Sequence, residues 1–241
     1  MKSKAGDVES GQATAALYPG MLESPQLRWA FIRKVYAIIL VQLLLTAGVA
    51  TAVGLVKPVS RFIAKTWPGF GVLMALIVLS FIIVIVLRAY HNRYPVNFVL
   101  LGLFTVTMAS MVGLSCAFSE EKVILESAIL TSVVIVALTF YTFWVVKRGG
   151  DFSFLGPFLF ASLLVLLVFA LIQIFFPLGK LSMMIFSCVA AVVYAGYIVY
   201  DTSNLIKRYS YDEYIWAAVS LYLDIINLFL NFINVFEVAD R

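Results

Sequence analysis

Seven apolar blocks, each long enough or nearly so to cross a bilayer, dominate this 241-residue chain. They run Val35–Val56, Gly69–Leu87, Pro95–Phe118, Val123–Val145, Leu155–Phe176, Leu181–Tyr200 and Tyr214–Phe236. A hydrocarbon core takes about 20 helical residues to cross. Inside it no water reaches the backbone, so each span must satisfy its own N–H and C=O groups as a helix. A closed barrel would need alternating segments of about ten residues, whereas Val72–Leu87 and Leu155–Phe176 are continuously apolar. Composition points the same way: 12% of residues are charged and 63% hydrophobic, where a soluble domain carries roughly 25% charged residues. The expected class is an all-α membrane protein with seven transmembrane helices.

The breaks between blocks are short. Lys57-Pro58 follows the first, Trp67-Pro68-Gly69 opens the second and Tyr94-Pro95 opens the third. Lys147 to Asp151 separates the fourth from the fifth, and Pro177 to Lys180 the fifth from the sixth. Ser210-Tyr211-Asp212-Glu213 has the spacing of a capping box at the start of the seventh. Short connections make consecutive helices antiparallel neighbours in one domain, residues 27–241. Residues 1–26 are rich in Gly, Ala, Ser, Asp and Glu, and lack the basic start, apolar run and cleavage site of a secretory signal. They are expected to form a disordered cytosolic tail. Eleven Lys and Arg fall on the tail's side of the spans against six on the other, which sets the N-terminus in the cytosol. The net charge of +4 follows from the same bias and implies no nucleic acid. Cys116 and Cys188 lie inside apolar spans and read as buried packing residues, with no disulfide or metal framework. Trp67, Trp144 and Trp216 lie near span ends, as an interfacial belt requires. His91, in the basic connection after the second span, reads as a solvated residue rather than a pH switch.

The informative residues are those that lipid should reject. A charge at the centre of a span costs roughly 2.5–3.5 kcal/mol on insertion scales. Asp201 ends the sixth block, Asp224 lies near the middle of the seventh, and Glu126 lies one turn inside the fourth. On the seventh helix Ser220, Asp224, Asn227, Asn231, Asn234 and Glu237 are spaced 4, 3, 4, 3 and 3, one stripe along one face. Such a stripe turns away from lipid, either as interhelical hydrogen-bonding glue or as the lining of a path. On the sixth helix Ser187, Ala190, Tyr194, Tyr197 and Asp201 form a row spaced 3, 4, 3 and 4. The intervening hairpin can bring Asp201 and Asp224 to one depth. Asp201 alone could equally face headgroups. Glu126 could line the path or sit at the interface beside Glu120 and Glu121.

Two motifs carry a resemblance. Tyr200-Asp201-Thr202, and Ser220-Leu221-Tyr222-Leu223-Asp224-Ile225-Ile226-Asn227-Leu228-Phe229, resemble the transmembrane Bax inhibitor motif family, Lifeguard branch. Arg93-Tyr94-Pro95-Val96-Asn97 and Asp151-Phe152-Ser153 extend the likeness, which spans about Gln26 to Glu237. The resemblance implies a central seventh helix wrapped by the other six, and passive, pH-sensitive calcium leak across an internal membrane (Golgi, endoplasmic reticulum or vacuole). It also implies suppression of cell death, with other membrane cell-death regulators as partners besides lipid and calcium. It puts the proton sensor at Asp201 and Asp224. It further implies a latch arginine at the end of the second helix, for which Arg88 and Arg93 both qualify.

Chemistry supports the same residues. Two desolvated carboxylates in contact cannot both ionise cheaply, so they hold one proton between them and titrate as a unit. A nearby arginine would oppose this. A change in protonation would alter the pairing and shift the seventh helix between closed and open. Calcium prefers oxygen ligands, which Asp201 and Asp224 would offer weakly, with the Asn side chains beyond. No cofactor is expected, with calcium as the permeant ion. An enzyme is not expected either. An intramembrane aspartyl protease needs Gly-x-Gly-Asp at its second aspartate, where this chain has Leu221-Tyr222-Leu223-Asp224. A seven-helix receptor would have an external N-terminus, and a retinal protein a lysine in its last span. A proton-coupled transporter remains open, as does an interaction protein without transport.

Overall fold

The computed structural model describes residues 25–56, 62, 66–91, 93–176 and 179–239. The expected tail falls almost wholly outside the described residues, as do the Lys57-Pro58 and Pro177-Leu178 breaks. Among the described residues, seven helices are long and apolar enough to cross a membrane. They are α1 (Pro25–Leu55), α2 (Trp67–Tyr90), α3 (Val96–Cys116), α4 (Glu121–Lys147), α5 (Leu155–Phe175), α6 (Lys180–Lys207) and α7 (Tyr214–Ala239). Among the described residues there is no strand.

Local chemistry sets the ends. Thr66 caps α2 by accepting from Gly69 N at 3.0 Å, with Pro68 in the first turn, where its missing N–H costs nothing. A single 3-10 turn, Tyr211–Glu213, leads into α7. There the Glu213 carboxylate accepts from Ser210 N at 3.0 Å and Ser210 Oγ at 3.1 Å, the capping box expected from the spacing. Gly149 carries the positive φ of +84° that lets α4 stop and turn. The following loop is tied to the end of α6. Lys207 Nζ donates to Gly150 O at 2.5 Å and lies 3.9 Å from Asp151, and Arg208 donates to Ser153 Oγ.

Two boundaries differ from the hydropathy pattern. α1 begins at Pro25, ten residues before the apolar block. Arg28, Arg33 and Lys34 depress the hydropathy of this stretch, yet its other face buries Phe31 and Ile32 against Leu205, Ala217 and Ala218. α6 likewise continues past Tyr200 to Lys207, burying Leu205.

Between helices in lipid, apolar side chains gain little by leaving hydrocarbon, so close backbone approach and interhelical hydrogen bonds must hold the bundle. Gly113 of α3 provides such an approach. A Cβ there would stand 2.8 Å from Val53 Cβ and 2.9 Å from Ala50 Cα of α1. Gly156 of α5 makes room for the Tyr200 hydroxyl of α6, which a Cβ would meet at 2.9 Å. A buried polar chain joins three helices. Tyr222 Oη of α7 lies 2.7 Å from Thr46 Oγ1 of α1, Thr46 donates to Gln42 O at 2.7 Å, and Gln42 Nε2 donates to Thr105 Oγ1 of α3 at 3.0 Å.

α1, α3, α4 and α6 pack along α7, and every residue of α7 from Tyr214 to Val238 is buried or half-buried. α2 meets the same core through Ile83 and Leu87, while α5 packs on α6 through Leu159 and Leu166. Among the described residues, α1, α3, α4 and α6 thus make the broad contacts with α7, and α2 reaches it through Arg88 against Trp216. The cysteine expectation is corrected in part: Cys116 is half-buried and Cys188 exposed on the helix surface, because its face of α6 points out of the bundle.

Candidate functional site

The α6–α7 hairpin assembles the site. From Asp201 the helix runs less than two turns to Lys207, and the chain reverses through Arg208 to Ser210 into the capped start of α7. Asp224 then lies about three turns along α7, at the same depth. The side chains of Asp201 and Asp224 stand within hydrogen-bonding reach of one another. Both are buried, at 9% and 7% exposure. Asp224 Oδ2 is buried and accepts no hydrogen bond from a donor among the described residues. Asn204, one turn on, is a neighbour of Asp201. Tyr194 and Tyr197, in the row with Asp201, are neighbours of the pair.

Among the described residues no Lys or Arg nitrogen makes an ion pair with either aspartate. Arg88 lies instead with its guanidinium 4.6 Å from the centroid of Trp216 on α7, and Arg93 lies 5.4 Å from that of Tyr90. Two carboxylates this close, with no ion-paired Lys or Arg among the described residues, would repel at low dielectric unless a proton lay between them.

The rest of the stripe continues from Asp224. Asn227 Nδ2 donates to Leu223 O and Asn231 Nδ2 to Asn227 O, each at 2.8 Å. Each amide spends a donor on its own helix and keeps its oxygen as an acceptor. Asn231 is buried, and Asn234 and Glu237 are half-buried on the same face. Ser220, one turn before Asp224, neighbours the Tyr209 side chain. Glu126 is not brought to the pair: it lies 3.8 Å from Lys122 in a surface i,i+4 pair at the start of α4. Among the described residues no group of three or more His, Cys, Asp or Glu side chains could hold a metal ion. Calcium typically takes six to eight oxygens, so two carboxyls and amide oxygens make a transit contact at most.

Sequence reasoning passed over Tyr209, Asn204 and the Gln42–Thr46–Thr105–Tyr222 chain. Gln42 and Thr46 carry a legible signal, polar residues four apart in an apolar span. Tyr209 carries none, since a connecting loop accepts tyrosine freely.

A family model described as "Inhibitor of apoptosis-promoting Bax1" matches residues 28–241. The chain belongs to the Bax inhibitor family, Lifeguard type. Protein LIFEGUARD 4 of Arabidopsis thaliana is 61% identical over 97% of the chain and 96% of its own length. Bax inhibitor 1 of Schizosaccharomyces pombe is 36% identical over 87% of the chain and 76% of its own length. The Golgi anti-apoptotic protein of Vaccinia virus (strain Lister) is 35% identical, over 90% and 89%. The aspartate pair of this Bax inhibitor family member thus sits in a region the family model covers throughout.

Proposed function

We propose that this chain is a pH-sensitive calcium leak channel of an internal membrane, and that it suppresses cell death by moderating calcium stores. The observation that carries the reading is the buried contact of Asp201 with Asp224, formed between two spans with no ion-paired Lys or Arg among the described residues. Removing the shared proton would leave two negative charges in contact at low dielectric, and the pair would separate. Because α7 packs along four other helices, a shift at Asp224 moves the axis of the bundle. The amide oxygens of Asn227 and Asn231, with Asn234 and Glu237 beyond, would line the path so opened. Arg88 is the stronger latch candidate, since its guanidinium over Trp216 ties α2 to α7 near this hairpin.

Relatives named for apoptosis inhibition, one of them for the Golgi, support the cell-death role and an internal membrane, and the excess of Lys and Arg on the tail's side puts the N-terminus in the cytosol. Partners would be the bilayer, calcium ions and other membrane cell-death regulators. The test is calcium entry into liposomes holding the purified protein. A leak rises linearly with the calcium gradient and needs no proton gradient, whereas a proton-coupled transporter saturates and requires one. Entry equal to that of empty liposomes at every pH would remove the channel reading.

A further inference from the structure

A groove runs along the bundle between α1 and α3. Lys34, Ala37, Val41 and Leu45 of α1 and Phe98 and Gly102 of α3 form its walls. Val41 is 64% exposed and Phe98 40%, so the groove opens sideways, toward lipid. Gln42 and Thr105 also line it, buried and hydrogen-bonded to each other at 3.0 Å. Lys34 is the one charged residue on its walls among the described residues. Over Gly102 the space is empty, since a Cβ there would meet nothing within 4 Å. The groove holds about 370 Å³. At roughly 30 Å³ per water-sized group, that is room for about a dozen methylenes, one acyl chain rather than two. A second helix, about 10 Å across with its side chains, is several times larger over the same length.

Charge and length both fit a lipid. Lys34 immediately precedes Val35, where the apolar run of α1 begins. Its ammonium lies 3.2 Å from the ring centroid of Tyr214, at the start of α7, and that ring lies 6.1 Å from the ring of Phe98. A lysine and aromatic rings at the ends of spans mark a membrane interface. Lys34 makes no ion pair among the described residues, nor does Arg33 beside it, and both are exposed. From Lys34 the helix rises about 16 Å to Leu45, close to half of a hydrocarbon core about 30 Å thick. The groove thus starts at a cation in the interface and runs down one leaflet between mainly apolar walls. That is the shape of a bilayer lipid, headgroup at Lys34 and one chain below it. The uncompensated positive charge selects an anionic headgroup over a zwitterionic one. Gln42 also belongs to the polar chain through Thr46 to Tyr222, so this lipid lies against the contact that joins α1, α3 and α7.

We propose that the α1–α3 groove is a binding site for an anionic phospholipid, with one acyl chain along Ala37, Val41 and Gly102 and the headgroup at Lys34. The site concerns lipid alone and stands apart from the leak reading. The test uses the full chain in phosphatidylcholine nanodiscs containing phosphatidylserine with a diazirine in one acyl chain. After illumination, peptide mass spectrometry compares adducts on α1 and α3 with those on the exposed apolar face of α5 around Leu164 and Val168, which reports ordinary lipid contact. In the native chain the groove should label several-fold more than α5, and unlabelled phosphatidylserine should displace that excess where added phosphatidylcholine does not. Lys34→Gln, which keeps most of the side-chain length and removes the charge, should lose the preference for phosphatidylserine, and Lys34→Arg should keep it. Gly102→Leu, which puts a side chain into empty space, should bring groove labelling down to the α5 level with either lipid. Labelling of α5 should stay constant in all variants, which shows that each is folded in the bilayer. Groove labelling no higher than that of α5, or unchanged in both Lys34→Gln and Gly102→Leu, would overturn the proposal. Displacement by oleate but not by phosphatidylserine would also overturn it, assigning the groove to a free fatty acid.

Discussion

Asp201 of α6 and Asp224 of α7 meet in the interior of the helix bundle within hydrogen-bonding reach, with no ion-paired cation among the described residues. Two ionised carboxylates in contact would repel at low dielectric, and a shared proton would remove that repulsion. The same hairpin is capped at Ser210, clasped at Lys207 and pinned by Arg28.

The tie from the second span should be separable from the pair. Arg88→Ala removes a cation–π contact with Trp216 worth about 0.5–2 kcal/mol. We expect calcium entry to rise while its pH dependence keeps the same sense. Arg93→Ala, whose partner Tyr90 lies on its own side of the bundle, should leave entry unchanged. Flux assays on the two variants side by side check this.

Close packing of α1 on α3 should be intolerant of one carbon. Gly113→Ala would place a Cβ 2.9 Å from Ala50 Cα and 3.0 Å from Ala50 O. Backbone atoms cannot rotate away, so we expect a loss of about 1–3 kcal/mol, read as a lower thermal midpoint in detergent. Gly102→Ala, with open space around it, is the matched control and should unfold like the native chain.

The buried polar chain should contribute modestly. Tyr222→Phe removes the hydroxyl that lies 2.7 Å from Thr46 Oγ1, while Thr46 keeps its bond to Gln42 O. Interhelical hydrogen bonds in membrane proteins average about 0.6 kcal/mol, and a loss of that order is expected. Gln42→Ala, which strips the link to Thr105 and leaves a gap, should cost more. Unfolding of both variants in the same detergent gives the ranking.

Much of this architecture is legible in the sequence because hydrocarbon imposes one rule on every span. Continuous apolarity marked the seven helices, and the stripe from Ser220 to Glu237 and the row from Ser187 to Asp201 marked the faces that meet. What pattern could not show is contact between distant segments. Hydropathy ended α1 at its charged residues, although Phe31 and Ile32 among them are core. The bond from Arg28 to Tyr209 spans 181 positions, and no local pattern of residues encodes it. Glu126 stayed open in the sequence between path and interface, and the structure sets it 3.8 Å from Lys122, four positions earlier.

The most direct test is the pH profile of calcium entry into liposomes for native protein, Asp201→Asn and Asp224→Asn. An asparagine at either position supplies a permanent donor to the remaining carboxylate and removes the need for a shared proton. We expect the native chain to pass more calcium as rising pH strips that proton, and each variant to show low entry with a flat profile. Native-like entry with an intact pH response in both variants would contradict the role of the pair.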